Sequence, residues 1–359
     1  MESEATGMET AVTTAAPPQQ KSRRVPVKAL ALAAAVVVLG GAAGTWVLAR
    51  DDGGKQPSCA TVGGNARIRE DLAPADTEGM GCTELAAALT RAAASDGSGR
   101  HTLAQAKVMR DLVDTLADDF RDRSRVDIAP SLRKPVAQLL ADYATDVHTM
   151  LVHYSESMDY LKHTGPDGGP WRDDRGVVRM PVENQSLILV MRAVSDDPAA
   201  YATLRKAGTA RSAEDLAQIT KASAGVSVSV PVSSTATALG LLDAIADEVL
   251  ASRSTSAAAR WKADVVKGLA DGGGEVPPFS SDPAGYLART WERGIAGGGY
   301  PALRGQTRDM VGILVKASGR TAESVAQPLR EAVVSGRVGQ DWLDEALINT
   351  GSAPRSPRT

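Results

Sequence analysis

The sequence is poor in aromatic residues and in cysteine. Only 5 Trp, 6 Tyr and 2 Phe occur among its 359 residues, which is 4% of the chain. Because β-strands favour aromatic and β-branched side chains, this alanine-rich composition favours a helical fold. The 2 cysteines are too few for a disulfide-dense scaffold, a four-cysteine zinc site or an iron–sulfur cluster.

The chain also lacks a strong excess of charge of either sign. Its formal net charge is -3, with 23% charged residues, which does not favour a nucleic-acid-binding surface. A hydrophobic content of 43% excludes global disorder and is sufficient for a buried core in one or two domains. We therefore expect a globular part and no nucleic-acid partner.

One long stretch, residues 29–49, contains no charged side chain. Its 21 residues match the roughly 20 apolar residues that a helix needs to cross a bilayer. The cytoplasmic side of a membrane retains basic residues, and four of them precede the stretch: Lys21, Arg23, Arg24 and Lys28. The sequence predicts a transmembrane signal-anchor at 25–50, with the N-terminus in the cytoplasm and the C-terminal part outside the cell membrane.

Two alternatives to a retained anchor stay open. One is a cleaved export signal, although no clear small-x-small cleavage site follows the apolar stretch. The other is twin-arginine export, because Ser22, Arg23, Arg24 and Lys28 resemble that motif, whereas Pro26 departs from it.

A GxxxG spacing lies inside the apolar stretch, at Gly40 and Gly44. This spacing lets two membrane helices approach closely, and it would place a homodimer contact there. Because the stretch is rich in Gly and Ala, chance explains the spacing about as well.

Composition divides the rest of the chain into four parts. Residues 1–24 have no apolar periodicity, which predicts a disordered cytoplasmic tail. Residues 51–81 are predicted to form a linker and a disulfide loop. Residues 82–350 are predicted to form the extracytoplasmic helical domain, with one candidate subdivision near 225–234. Residues 351–359 are predicted to be a disordered tail.

The two cysteines, Cys59 and Cys82, both lie on the predicted outer side of the membrane. Disulfides form and persist in such oxidising compartments, so we expect these two residues to pair. The alternative is a pair of free thiols.

Helical periodicity extends over most of the chain after Cys82. Apolar residues recur at three- and four-residue steps, as an amphipathic helix requires, for example at Leu103, Ala106, Met109, Leu112, Leu116 and Phe120. We predict an all-α multi-helix domain, with separate helices at 199–207, 212–222, 321–334 and 340–348. Residues 225–234 alternate apolar and polar side chains, which favours an extended connector or a lone hairpin arm.

The sequence contains no convincing catalytic, cofactor or metal site. His148 and His153 are five residues apart, whereas two zinc ligands on one helix face are four apart. Ser131 and Lys134 match the SxxK motif of penicillin-binding proteins, in which the serine is the nucleophile, but the other motifs of those enzymes are missing. We predict no catalytic residue, no metal and no cofactor. An extracytoplasmic cell-wall hydrolase or acyltransferase remains the enzymatic alternative.

Three stretches, 132–153, 190–216 and 234–269, each contain a short motif, or phrase, that also occurs in other proteins. These are Asp146-Val147-His148, the run 195–201 around Asp197-Pro198, and Trp261-Lys262. They resemble the C-terminal helical region of long actinobacterial proteins encoded near WXG-type, type VII secretion genes. The resemblance implies a helical fold and an envelope or secretion context, and it implies no activity.

The sequence as a whole predicts a non-catalytic interaction or scaffold protein of the cell envelope. Its expected partners are the membrane, an envelope or secretion protein, and a second copy of the chain. A toxin delivery or immunity factor is a further alternative, which rests on the resemblance alone.

Overall fold

The computed structural model describes residues 57–352, except 74, 76, 78, 98, 153–156, 166–167, 222–227 and 272–273. The predicted cytoplasmic tail and signal-anchor, including Gly40 and Gly44, lie outside the described residues. His153 and most of the predicted C-terminal tail also lie outside them.

The described residues are mostly helical, which confirms the prediction of an all-α fold. The helices are α1 Pro57–Gly64, α2 Ala66–Asp71, α3 Cys82–Ala93, α4 Leu103–Arg123, α5 Pro130–Asp142, α6 Ala144–Leu151, α7 Ser157–Thr164, α8 Asn184–Val194, α9 Pro198–Lys221, α10 Ser229–Ala251, α11 Thr255–Ala270, α12 Pro283–Gly298, α13 Gln306–Ser318 and α14 Ala326–Asn349. Two strands, β1 Trp171–Arg172 and β2 Val178–Arg179, pair antiparallel between α7 and α8. Short 3₁₀ helices at Tyr300–Gly305 and Ala322–Val325 precede α13 and α14.

Two short helices, α1 and α2, occupy much of the stretch expected to be a linker. The Asn65 side chain accepts hydrogen bonds from the backbone N–H groups of Arg67 and Ile68 and so caps α2. Val62 and Ile68 are fully buried. Their burial in the core supplies a stabilisation that helices of 8 and 6 residues lack in isolation.

Two predicted helix breaks are wrong, because α9 and α14 are each continuous over 24 residues. Gly208 lies in the first predicted break, and Gly336 and Gly339 lie in the second. Here, Gly208 in α9 faces α10, where an added Cβ atom would lie 3.1 Å from the Leu242 side chain. Gly336 and Gly339 in α14 also face α10. These glycines allow close helix packing and do not end the helices.

The extended connector predicted at 225–234 is wrong for its second half, because α10 begins at Ser229. Pro231 lies in the first turn, where its missing N–H has no intrahelical acceptor. Within the described residues, α10 is the only helix long and apolar enough to cross a membrane, and 67% of its most apolar window is buried inside the fold. Such burial is typical of a core helix.

Helices α10 and α14 form the most intimate contact in the described part of the chain. The Thr237 hydroxyl donates a hydrogen bond to the Ser335 carbonyl oxygen, and one turn further along both helices Leu241 lies against Gly339. The two helices therefore run in the same direction, although 74 residues separate their ends in sequence. Their small residues bring the two backbones together and leave a groove along one side of the pair.

Candidate binding groove

The structure joins the two cysteines, Cys59 and Cys82, in a disulfide with a Cα–Cα distance of 5.4 Å. Cys59 lies in α1, and Cys82 begins α3. Thr77, between them, donates a hydrogen bond to the Gly63 carbonyl oxygen at 2.6 Å. The disulfide therefore fastens α1, at the beginning of the described residues, to α3.

The residues considered for enzymatic or metal chemistry are not brought together. Ser131 and Lys134 are both exposed near the beginning of α5, and neither side chain makes a hydrogen bond in the described part of the chain. His148 is buried, with Nε2 2.8 Å from a carboxylate oxygen of Asp215. Within the described residues, no three His, Cys, Asp or Glu side chains are placed to hold a metal ion.

The Asp-Val-His phrase connects three parts of the fold. Asp146 is buried and accepts hydrogen bonds from the Tyr160 hydroxyl at 2.5 Å and from the Met180 backbone N–H at 3.3 Å. Burial raises the pKa of Asp146, and Arg179 at 3.4 Å opposes that rise. These contacts hold α7 and the β-hairpin against α6. The role of Asp146 in the described structure is therefore to hold these elements together.

The Asp-Pro phrase has a capping role and a packing role. The Asp197 carboxylate accepts hydrogen bonds from the backbone N–H groups of Ala199 and Ala200 and so caps α9. Tyr201 then reaches into the core, where its hydroxyl donates to the Leu242 carbonyl oxygen of α10 at 3.1 Å. Burial raises the pKa of Tyr201 to about 12, so this hydroxyl stays protonated to a higher pH than that of an exposed tyrosine.

A groove of about 580 Å³ lies between α10, α14 and the segment 303–308. This volume falls within the range of about 300–1,000 Å³ that is typical of ligand-binding clefts. Its floor consists of small residues at the helix contact, namely Ala236, Gly240, Ala332 and Gly336. Its apolar wall includes Leu329 and Val333, and Val333 is 61% exposed.

A fully buried arginine, Arg205 of α9, supports the groove from below. Its guanidinium donates to Asp243 of α10 at 2.6 Å, to Gln306 of α13 at 2.7 Å and to the Leu303 carbonyl oxygen at 2.9 Å. Gln306 in turn donates to the Thr209 hydroxyl at 2.6 Å. This network joins three helices and the 3₁₀ segment, and so fixes the relative positions of the groove walls.

Two of the aspartates that line the groove are neutralised by arginines. Asp243 pairs with Arg205, and Asp247 pairs with Arg304. Burial raises the pKa of Asp243, whereas the neighbouring Arg205 lowers it. Burial alone would lower the pKa of Arg304, but the adjacent Asp247 carboxylate raises it overall. A third aspartate, Asp344, accepts a hydrogen bond from Gln340 at 2.9 Å.

Three charged side chains of the groove have no partner among the described residues. They are Arg308 in the first turn of α13, and Arg337 and Asp341 on the exposed side of α14. These are two cations and one anion, and the Asp344 carboxylate keeps its charge because an amide hydrogen bond does not neutralise it, so the lining holds four arginines and four aspartates in all. They lie beside the apolar wall, so the groove offers both charged and apolar contacts to an occupant.

A second cavity, of about 510 Å³, lies near the C-terminal end of the described chain. Its charged side chains are largely paired with one another or with their neighbours. Arg192 contacts Asp196 at 3.1 Å, and Asp127 contacts Arg123 at 2.7 Å. This cavity offers fewer unmatched charges than the groove does.

Sequence reasoning did not identify the groove. Its lining residues come from segments around 236–247, 303–308 and 329–344, which are far apart in sequence. One signal was present: Leu329, Val333, Arg337, Asp341 and Asp344 recur at three- and four-residue steps, which places them on one face of a continuous helix. Because a break was predicted within α14, these residues were not assigned to one face of a single helix.

Comparison with known proteins gives no assignment: no protein family, no curated protein and no solved structure matches this chain.

Proposed function

We propose that this chain is a single-pass membrane protein whose extracytoplasmic helical domain is a non-catalytic interaction or scaffold component of the cell envelope. The groove is the observation that carries the proposal. It has the size of a binding cleft, and its unpaired charges lie beside an exposed apolar side chain. Its occupant in this proposal is a segment of another envelope protein, and the sequence resemblance favours a protein linked to secretion.

The membrane part of the proposal is supported by the sequence. The uncharged stretch at 29–49 ends only a few residues before α1 begins at Pro57. A chain of that length spans at most about 25 Å, so a retained anchor would keep the helical domain close to the bilayer. The disulfide between Cys59 and Cys82 would then fasten the domain to its tether in an oxidising compartment.

The proposal is tested with the full-length protein in intact cells. A photo-crosslinking amino acid replaces the exposed Val333 at the groove, and the matched control carries it at the exposed Arg91 on α3. Fractionation and protease treatment of protoplasts report topology in the same cells. We expect a full-length membrane-bound protein whose outer part is digested, with a crosslinked envelope protein at position 333 and none at position 91.

Two results would contradict the proposal. A shortened, soluble product would show that the apolar stretch is a cleaved export signal. A crosslinking pattern that is the same at both positions, or empty at both, would remove the groove as the interaction site.

A further inference from the structure

We infer that an exposed stripe of α14 at the rim of the groove binds the same stripe of a second copy of this chain, with the two helices antiparallel. This inference rests on the proposed function and names the partner. The stripe consists of exposed residues that recur at three- and four-residue steps: Arg330, Val334, Arg337, Asp341, Glu345 and Ile348. This spacing places them on one face of the helix.

The charged residues of α14 are divided between its two halves. Both arginines of the helix, Arg330 and Arg337, lie in the first half, where the only acidic residue is Glu331. The second half contains no basic residue and three acidic ones, Asp341, Asp344 and Glu345. An antiparallel second copy brings the basic half of each helix opposite the acidic half of the other. A parallel copy would bring like charges together.

The helix dipole does not favour this distribution of charge in a single copy. A helix is stabilised by acidic side chains in its first turn and by basic side chains in its last turn. Helix α14 has neither, and its acidic residues are concentrated towards its C-terminal end. In an antiparallel pair, the N-terminal half of the partner helix lies beside that end and supplies the missing positive charge.

One register pairs the free charges at the groove rim. Arg337 and Asp341 make no ion pair among the described residues, and within one helix a basic residue four positions before an acidic one is the less favourable order. When Arg337 lies opposite the partner's Asp341, two-fold symmetry places Asp341 opposite the partner's Arg337 as well. Two ion pairs therefore form together. In the same register, Arg330 lies within about one turn of the partner's Glu345.

Exposed apolar side chains supply the rest of the contact. Val334 is 66% exposed and Ile348 is 53% exposed, although both side chains are apolar. In the register set by Arg337 and Asp341, each Val334 lies within about one turn of the partner's Ile348. Removal of these side chains from water favours association of the two copies.

The size of the stripe predicts a contact that depends on the membrane. The stripe is about 27 Å long, and a helix is about 10 Å wide, so the pair buries less than the about 1,200 Å² that is typical of stable complexes. The contact is therefore weak between free molecules. Two copies anchored in one membrane have a high effective concentration, which allows a weak contact to form. A two-fold axis along the bilayer normal keeps both anchors in the same membrane.

The inference is tested with the full-length protein in lipid vesicles. The charge reversals Arg337→Asp and Asp341→Arg each bring like charges together in a homodimer. A mixture of the two variants forms a heterodimer in which both pairs again have opposite charges. Energy transfer between fluorescent C-terminal tags measures association. We expect association of the unsubstituted protein, at least tenfold weaker association of each variant alone, and recovery in the mixture.

The matched control is the pair of charge reversals Glu84→Arg and Arg91→Asp on α3. Both residues are exposed, and neither belongs to the stripe, so these changes should leave association unchanged, alone or mixed. Circular dichroism of each variant checks that the helical fold is intact. In addition, a photo-crosslinking amino acid at Val334 should attach to residues 341–348 of a second copy, as located by mass spectrometry.

Four outcomes would overturn the inference. They are the absence of energy transfer in the unsubstituted protein, equal energy transfer in all variants, no recovery in the mixture, and crosslinks from position 334 to residues 330–337 of a second copy. The last of these would show a parallel contact.

Failure of the inference can be distinguished from failure of the proposed function. If position 333 crosslinks a different envelope protein while the mixture shows no recovery, the second copy is wrong as the partner and the interaction role stands. If topology and crosslinking at position 333 both fail, the proposed function is wrong whatever the charge variants show.

Discussion

Gly240 on α10 lies directly against Gly336 on α14, with no room for a side chain between them. A Cβ atom added to Gly240 would lie 2.7 Å from the Gly336 Cα atom, and one added to Gly339 would lie 2.5 Å from the Leu241 backbone nitrogen. Both distances are shorter than any relaxed contact, so the two helices can lie this close only because glycine occupies these positions. The groove follows from this close approach, because small residues form its floor.

Substitution of Gly240 by alanine is expected to destabilise the fold. The added methyl group would force α10 and α14 apart, and overpacking of this kind costs about 1–3 kcal/mol. The control is Gly312→Ala on α13, where an added Cβ atom meets nothing within 4 Å. That change should stabilise the protein by about 0.4–1 kcal/mol. Urea denaturation of both variants measures the difference, and equal stabilities would show that the backbones are not in contact.

Substitution of Arg205 by methionine is expected to cost about 3–5 kcal/mol, because it leaves Asp243 without its buried partner. Gln306 would also lose a hydrogen bond. Arg304→Gln removes an ion pair in which the arginine side chain is 57% exposed, and should cost no more than about 1 kcal/mol. Thermal and chemical denaturation compare the two variants. A small effect of Arg205→Met would mean that the groove walls do not depend on this network.

Removal of the disulfide is expected to lower the free energy of unfolding by about 3 kcal/mol in the chain-entropy model. The loop between Cys59 and Cys82 has a sequence separation of 23. The double variant Cys59→Ser, Cys82→Ser should therefore unfold at a lower denaturant concentration than the oxidised protein. A reducing agent should destabilise the unsubstituted protein and leave the double variant unchanged. If the reducing agent has no effect on the unsubstituted protein, the bond does not contribute to stability.

Asp114 should make stability depend on pH. Burial raises its pKa to about 6 in the folded protein, opposed by Arg110 at 3.6 Å. Because the folded state holds this proton more tightly than the unfolded state does, the stabilisation from Asp114 is present at low pH. It is lost as the pH rises from about 4 to about 6. The difference in pKa corresponds to about 3 kcal/mol as an upper limit.

The variant Asp114→Asn removes this titration. Its stability should exceed that of the unsubstituted protein by about 1–3 kcal/mol at pH 7.5, and the advantage should shrink towards pH 4. The control is Asp118→Asn, because the Asp118 side chain is 60% exposed. Guanidinium denaturation across this pH range provides the comparison. If the gain of Asp114→Asn were constant across the range, burial of a charged Asp114 would not be its cause.

Local sequence patterns were sufficient to predict the helical class and most helices. The stripe beginning at Leu103 became α4, with Ala106, Met109, Leu112 and Leu116 fully buried, because a period of 3.6 residues is a property of the local chain. Asp197 and Asp282 cap α9 and α12 through equally local contacts. Each accepts a backbone N–H within three residues.

The role of three glycines is tertiary and not local. Gly208, Gly336 and Gly339 lie in the predicted breaks between helices, yet each lies inside a long helix. Their neighbours across the interface are on α10, which the local sequence around them does not contain. The two short helices before Cys82 were missed in a similar way, since their stability depends on burial of Val62 and Ile68.

The sequence by itself determined the helical class, the one disulfide that two cysteines can form and the expectation of an anchor at 29–49. These follow from local periodicity, from counting and from the length of an uncharged stretch. Only the tertiary structure decided where Arg205 is buried and which charges of the groove remain unpaired. Those facts depend on segments about a hundred residues apart meeting at one place, and local sequence patterns do not specify such contacts.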